Sequence, residues 1–193
     1  MMVHSAIDLY AEILAPRRIV MSQQIGLNHE RAAVLIMDFQ NDIVNQHASY
    51  PNEVVQNAAK VLHGARQNEI PVIYLVHRGG RFAADNPGTQ IHPGVLPESG
   101  DIVLTKTKGG AFSTTGLDIL LRELGKDTLI VMGIATSGCV LSTTRWATDI
   151  NYKVLVVTDA CDDSDREVHR VLTQKIFVRH GILTTEEFLG TLL

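Results

Sequence analysis

Three residues of complementary chemistry each stand just after an apolar run in this chain: Asp38 in MDFQND, Lys106 in LTKTKGGAF and Cys139 in GIATSGCV. A thiol attacks as its thiolate, and a nearby lysine together with the start of a helix supplies the positive field that lowers a cysteine pKa. A carboxylate beside both can take the thiol proton and later return it to a departing amine. The turn of residues 133–139 adds a fourth ingredient, because the first N–H groups of a helix lack internal partners and can bind a developing oxyanion. Taken singly, each residue has a plainer reading: a buried small thiol, a strand-end aspartate, a solvated lysine. Taken together at three strand ends, they point to nucleophilic catalysis by a thiol with a proton shuttle beside it. Lys108 is a competitor for the lysine role.

The elements that must position these groups are legible as hydrophobic runs. Residues 33–37 (AVLIM) form a continuous apolar stretch bounded by charge, the pattern of a strand buried on both faces. Runs at 70–76, 102–105, 128–133, 153–159 and 182–185 predict five further strands. Helical spacing predicts helices over 52–67, 117–124, 139–151 and 165–179, with a short one at the terminus. The stretch 78–100 carries five glycines and three prolines and reads as one long loop, a length that in compact domains usually serves function. Alternation of this kind predicts an α/β protein, a doubly wound and mostly parallel six-stranded sheet in an α/β/α sandwich. Such sheets bind ligands outside the carboxyl ends of their strands, where Asp38, Lys106 and Cys139 all fall.

Composition narrows the partners. The chain has 193 residues, 45% apolar and 20% charged, with a formal charge of −4. Mild acidity argues against nucleic acid or an anionic membrane as the main partner and leaves a small-molecule substrate. Two cysteines, Cys139 and Cys161, make no disulfide framework, and the apolar runs are too short to span a bilayer. A cytoplasmic location is expected. Residues 1–30 read as an extension, with an amphipathic helix over 5–15 that places Ile7, Tyr10 and Leu14 on one face and stops at Pro16. The domain is expected over 31–193.

From about residue 32 to residue 189 the chain resembles the isochorismatase-like cysteine hydrolases, the superfamily that includes nicotinamidases and N-carbamoylsarcosine amidases. The residues that carry the likeness are LIMDFQND, KTKGGAF, GIATSGCVLSTTRWA and VLVVTDAC. The resemblance implies a triad of Asp38, Lys106 and Cys139, with Lys106 preferred to Lys108 because it stands six residues before Phe112. It also implies a non-proline cis peptide between Ile134 and Ala135 that aims the N–H groups of Ala135 and Cys139 at an oxyanion, and a homo-oligomer, dimer or tetramer. Nicotinamidases hold a metal through an Asp-x-His…His cluster after the second strand. This chain has only His77-Arg78-Gly79-Gly80 there, with His92 farther on, so neither metal nor cofactor is expected. Isochorismatases that cleave a vinyl ether lack the cysteine, so Cys139 points to hydrolysis of a C–N bond.

Phe39, Gln40, His77 and Phe112 are the substrate-binding candidates, with Arg78 and Arg81 available for an anionic group. Three other readings stay open at this stage: an isochorismatase-type hydrolase of a non-amide substrate, a redox thiol with Cys161 as resolving partner, and a catalytically silent binding protein of the same fold.

Overall fold

In the computed structural model, residues 27–193 apart from 81 and 84 are described; the helix expected over 5–15 lies outside them. Six strands, β1 (Ala32–Met37), β2 (Val72–His77), β3 (Ile102–Lys106), β4 (Thr128–Ile134), β5 (Lys153–Asp162) and β6 (Ile182–Leu183), form one sheet in the order β3-β2-β1-β4-β5-β6. Every neighbouring pair is parallel. Central strands in such a sheet are covered on both faces, and all six residues of β1 and all seven of β4 are buried. β3, at the edge, alternates between covered and exposed residues. Helices lie on both sides, giving the expected α/β/α sandwich.

The helices are α1 (Asn41–His47), α2 (Pro51–Gln67), α3 (Leu117–Glu123), α4 (Leu141–Asp149), α5 (Arg166–Val171) and α6 (Thr185–Gly190). α2 starts on Pro51, whose fixed φ suits the first turn, and buries Val54, Val55, Ala58, Val61, Leu62 and Ala65 along one stripe. Gly64 in that stripe lets α6 approach closely, since a Cβ there would stand 2.6 Å from a Leu189 methyl. α6 begins with a capping box in which Thr184 and Glu187 satisfy each other's backbone N–H groups.

Strand order reverses between β1 and β4, because the chain steps outward from β1 to β3 and then returns to pair β4 on the other side of β1. In open parallel sheets the carboxyl ends of the strands at such a reversal are where ligands bind. Asp38 follows β1 directly, and Cys139 follows β4 within a five-residue irregular turn, Thr136–Val140.

Several details depart from the sequence reading. α1 was not expected: its NDIVNQH sequence is mostly polar, and only Ile43 and Val44 are buried. The single helix expected over 165–179 is broken. α5 ends at Val171 and continues as a π-helical turn over Leu172–Ile176 and a 3-10 turn over Phe177–Arg179. β5 runs on to Asp162, because a register shift between Val131 and Gly133 lets Gly133 pair with Cys161 and Ile134 with Asp162. The long loop is braced rather than slack. It holds two 3-10 turns and bridges back to the first strand's exit, with Asn41 N–H bonded to the Gln90 carbonyl and His92 N–H to that of Phe39.

Candidate active site

Asp38 leaves β1 with φ at 59°, a left-handed conformation that aspartate accepts more readily than most side chains. Its N–H donates to the Leu75 carbonyl at 3.0 Å and its own carbonyl accepts from Gln40 N–H at 2.8 Å, so the turn is held on both sides. Lys106, the last residue of β3, is fully buried and donates from Nζ to Asp38 Oδ2 at 2.7 Å. The same ammonium donates to the carbonyls of Lys108 and Gly109, each at 3.0 Å. Three acceptors for three ammonium protons make this a fully satisfied buried cation. Lys108 enters only through its backbone oxygen, and the residue is exposed. The structure thus pairs Lys106, and not Lys108, with the carboxylate.

Cys139 sits inside a π-helical turn, Thr136–Val140, that leads from β4 into α4. The peptide between Ile134 and Ala135 at the head of the turn is cis. The sulfur is buried and donates weakly to the Ala135 carbonyl at 3.7 Å. It packs over Gly133, where a Cβ would stand 3.1 Å from Sγ and 3.0 Å from both Cβ and carbonyl oxygen of Met37. Only glycine leaves room for the thiol between β1 and the turn. Gly133→Ala is expected to cost about 1–3 kcal/mol in urea unfolding and to lower turnover by moving the sulfur; an unfolding midpoint equal to the parent's would show that the strands yield freely.

The electrostatics differ from the sequence expectation of a thiol lowered by positive surroundings. Burial pushes the Cys139 thiol well above its ordinary range, and the Asp38 charge pushes it the same way; Lys106 opposes both without outweighing them. Burial likewise raises the Asp38 carboxyl, with Lys106 pulling against it. Both shifts disfavour the charged forms: they keep the proton on sulfur and make Asp38, where ionised, a stronger base than an exposed carboxylate. Asp38 Oδ1 is buried and has no hydrogen bond of ordinary geometry among the described residues, while the Cys139 thiol and the His77 backbone N–H also act on this carboxyl beside Lys106.

Two of the weaker sequence candidates turn out to be committed to the scaffold. Gln40 is fully buried; its amide donates to the carbonyls of His77 and Thr89 and its oxygen accepts from His77 N–H. It ties β2 to the long loop. Phe112 stands 5.8 Å from the ring of Tyr152, whose hydroxyl donates to Asp118 on α3, which seats Phe112 in the core. Phe39 is also buried, directly after Asp38. His77, half-buried at the end of β2, packs edge-on against Phe82 with ring centres 4.7 Å apart. Arg78 donates to the carbonyls of His77 and Thr89, so this guanidinium braces the loop. His92 accepts from Gly94 N–H, and among the described residues no three His, Cys, Asp or Glu side chains converge as metal ligands would.

Cys161 is buried on β5, its thiol pushed up to about 12 chiefly by burial, and it takes a hydrogen bond from Gly133. The charges that act on it, Asp159 and Asp162, both oppose a thiolate and no lysine offsets them, unlike at Cys139, which fits a structural thiol. A depression of about 400 Å³ bordered by Arg31, Arg122, Lys126 and Tyr152 lies at the opposite end of the sheet, its cations already held by Asp127, Asp118 and the Glu30 carbonyl. Sequence reasoning missed Gly133, and it missed Asp163, which accepts from Ser137 N–H in the nucleophile's turn.

Comparison with known proteins places this geometry. The isochorismatase domain model matches residues 32–187. An isochorismatase family protein of Bacillus subtilis, YwoC, is 32% identical over 187 residues, covering 88% of this chain and 98% of that protein. A cysteine hydrolase from Pseudomonas syringae superposes with a TM-score of 0.80 at 26% identity, over 88% of this chain and 95% of the other. An isochorismatase family protein from Burkholderia thailandensis gives 0.78 at 29% identity, over 86% and 97% respectively. Among the described residues no helix is long and apolar enough to cross a membrane.

Proposed function

We propose, from the premise that this chain belongs to the isochorismatase family of hydrolases, that it hydrolyses a C–N bond of a small amide, ureide or carbamoyl compound through a thioester on Cys139. The observation that carries this reading is the buried Lys106–Asp38 pair, 2.7 Å apart, set beside a buried thiol at the strand reversal. A core cysteine needs no such neighbours. A peroxide-sensing thiol gives no reason for them either, whereas acyl transfer uses both.

Asp38 takes the thiol proton as Cys139 Sγ bonds to the substrate carbonyl carbon, and the carbonyl electron pair moves onto oxygen. The N–H groups of Ala135 and Cys139 receive that oxyanion. When the carbonyl re-forms, the C–N bond breaks and the amine leaves with the proton held by Asp38. Water then attacks the thioester, giving its proton to Asp38, and the second collapse releases the carboxylic or carbamic acid while the proton returns to sulfur. Lys106 keeps its charge throughout; it steadies Asp38 in its ionised form and limits the cost of burying negative charge.

A panel of small amides, ureides and carbamoyl compounds assayed for ammonia release tests the reading. Release that disappears in Cys139→Ala is the expected result; cleavage of a vinyl ether without any C–N turnover would favour the non-amide alternative. Turnover is also expected to survive exhaustive chelation, since among the described residues no three His, Cys, Asp or Glu side chains converge as metal ligands would. Activity lost with the chelator and restored by zinc or iron would contradict this.

A further inference from the structure

Two carboxylates at the end of β5 take no part in the chemistry above, yet both are nearly inaccessible, Asp162 at 6% and Asp163 at 4% exposure. Asp162 accepts the N–H of Tyr50 at 2.6 Å and that of Asp163 at 2.8 Å. Asp163 accepts the N–H of Ser137 through Oδ2 at 2.8 Å and that of Asp165 through Oδ1 at 3.3 Å, while its carbonyl accepts the Ser49 hydroxyl at 2.7 Å. One residue before Ser137, the Thr136 hydroxyl is hydrogen-bonded to His169 Nδ1 at 2.8 Å. The nucleophile's turn is thus gripped from behind at two consecutive residues.

That grip is needed because the turn holds itself poorly. Gly138 N–H and Val140 N–H share the Ala135 carbonyl, at 3.0 and 3.5 Å, in an irregular π-helical geometry. A misplacement of about 1 Å at reacting atoms can cost on the order of 10²-fold in rate. We propose that Asp163 is a positioning residue for Cys139: its carboxylate, by holding Ser137 N–H, fixes the turn and keeps the sulfur seated over Gly133 beside Asp38. This inference rests on Cys139 being the nucleophile, as proposed above.

The test uses the full chain and iodoacetamide, with mass spectrometry reading modification at Cys139 separately from Cys161 across a pH series. The parent profile is expected above that of an exposed thiol, because burial and the Asp38 charge both disfavour the thiolate. Asp163→Ala frees the turn, admits water to the sulfur and moves the profile down by about one pH unit or more, toward that of an exposed thiol. Asp163→Asn keeps an oxygen facing Ser137 N–H and stays within about 0.3 unit of the parent. An alanine profile that superimposes on the parent's overturns the proposal, and so does an asparagine shift as large as alanine's. Should Asp163→Ala fail to fold, Asp163→Ser carries the same expectation, since its shorter side chain cannot reach Ser137. Alkylation requires no substrate, so this outcome is separate from the turnover of Cys139→Ala. A null result here leaves the hydrolytic reading in place, and retained turnover there removes that reading without moving the profile.

Discussion

Cys139→Ala is expected to lose turnover by a factor on the order of 10⁴ or more while folding as the parent does. The size of the loss follows from the division of the reaction into two acyl transfers. Without sulfur there is no covalent intermediate, and Asp38 with the oxyanion donors is left to direct water at the unactivated amide instead of at a thioester. The small effect on stability follows from what is removed: one sulfur atom that donates weakly to the Ala135 carbonyl, interacts with the Asp38 carboxyl and otherwise fills space above Gly133. A cavity of that size costs about 1–2 kcal/mol. Removing the thiol also relieves Asp38 of a neighbour whose ionisation would face it across a dry interior. Cys139→Ser is expected to fail almost as completely, because a hydroxyl, far less acidic than a thiol, gives up its proton to a carboxylate much less readily. Turnover measured on an amide of the panel, with unfolding followed in urea, checks both halves. Alanine enzyme that retains more than about a tenth of parental activity would end the thioester mechanism.

Much of this arrangement was legible because parallel sheets write themselves as long apolar runs. Residues 33–37 and 128–133 could be read as central strands, and the groups just beyond them as neighbours, without knowing a single contact. Lys106 was legible for the same reason, at the end of a third strand. Element boundaries were weaker where the chain changes its pattern of hydrogen bonding. The π-helical turns at Thr136–Val140 and Leu172–Ile176 have the same composition as ordinary helix. Nothing in the local pattern marks the extra residue per turn. The electrostatic reading failed for a related reason. A lysine near a cysteine implies a lowered thiol only if water or further positive charge stabilises the thiolate, and here Lys106 spends its charge on Asp38 while burial dominates the sulfur. Gln40 and Asp163 were beyond reach because their partners are distant in sequence. Gln40 serves the backbone of His77 and Thr89, and Asp163 serves that of Ser137, none of which a local pattern can foretell.

Lys106→Met is the sharper test of the electrostatics, and it should act on stability and on pH together. In the parent, the ammonium is the main influence holding the Asp38 carboxyl down against burial. Methionine fills similar volume but leaves the carboxylate without a counter-charge and the carbonyls of Lys108 and Gly109 without their donor. Breaking one side of a buried pair costs about 3–5 kcal/mol when the remaining charge stays ionised. The sign of the pH dependence follows. The folded-state Asp38 pKa, already raised by burial, rises further in the variant, so the folded protein binds a proton that the unfolded chain has released. Stability therefore falls as pH rises from the ordinary carboxylate range through the folded pKa, and the deficit is largest at neutral pH and above. Activity moves in the matching sense. Asp38 must be ionised to take the thiol proton, so the acid limb of the rate profile shifts to higher pH, and Cys139 alkylation shifts upward too because the thiolate has lost its nearest cation. Lys108→Met should change none of these, since only the backbone oxygen of that residue touches the pair and the substitution keeps it. Urea unfolding and iodoacetamide rates measured from acid to alkaline pH on both variants decide the matter. A shift in Lys108→Met with none in Lys106→Met would exchange the two lysines, and a flat response in both would mean that Asp38 is held ionised by something other than charge.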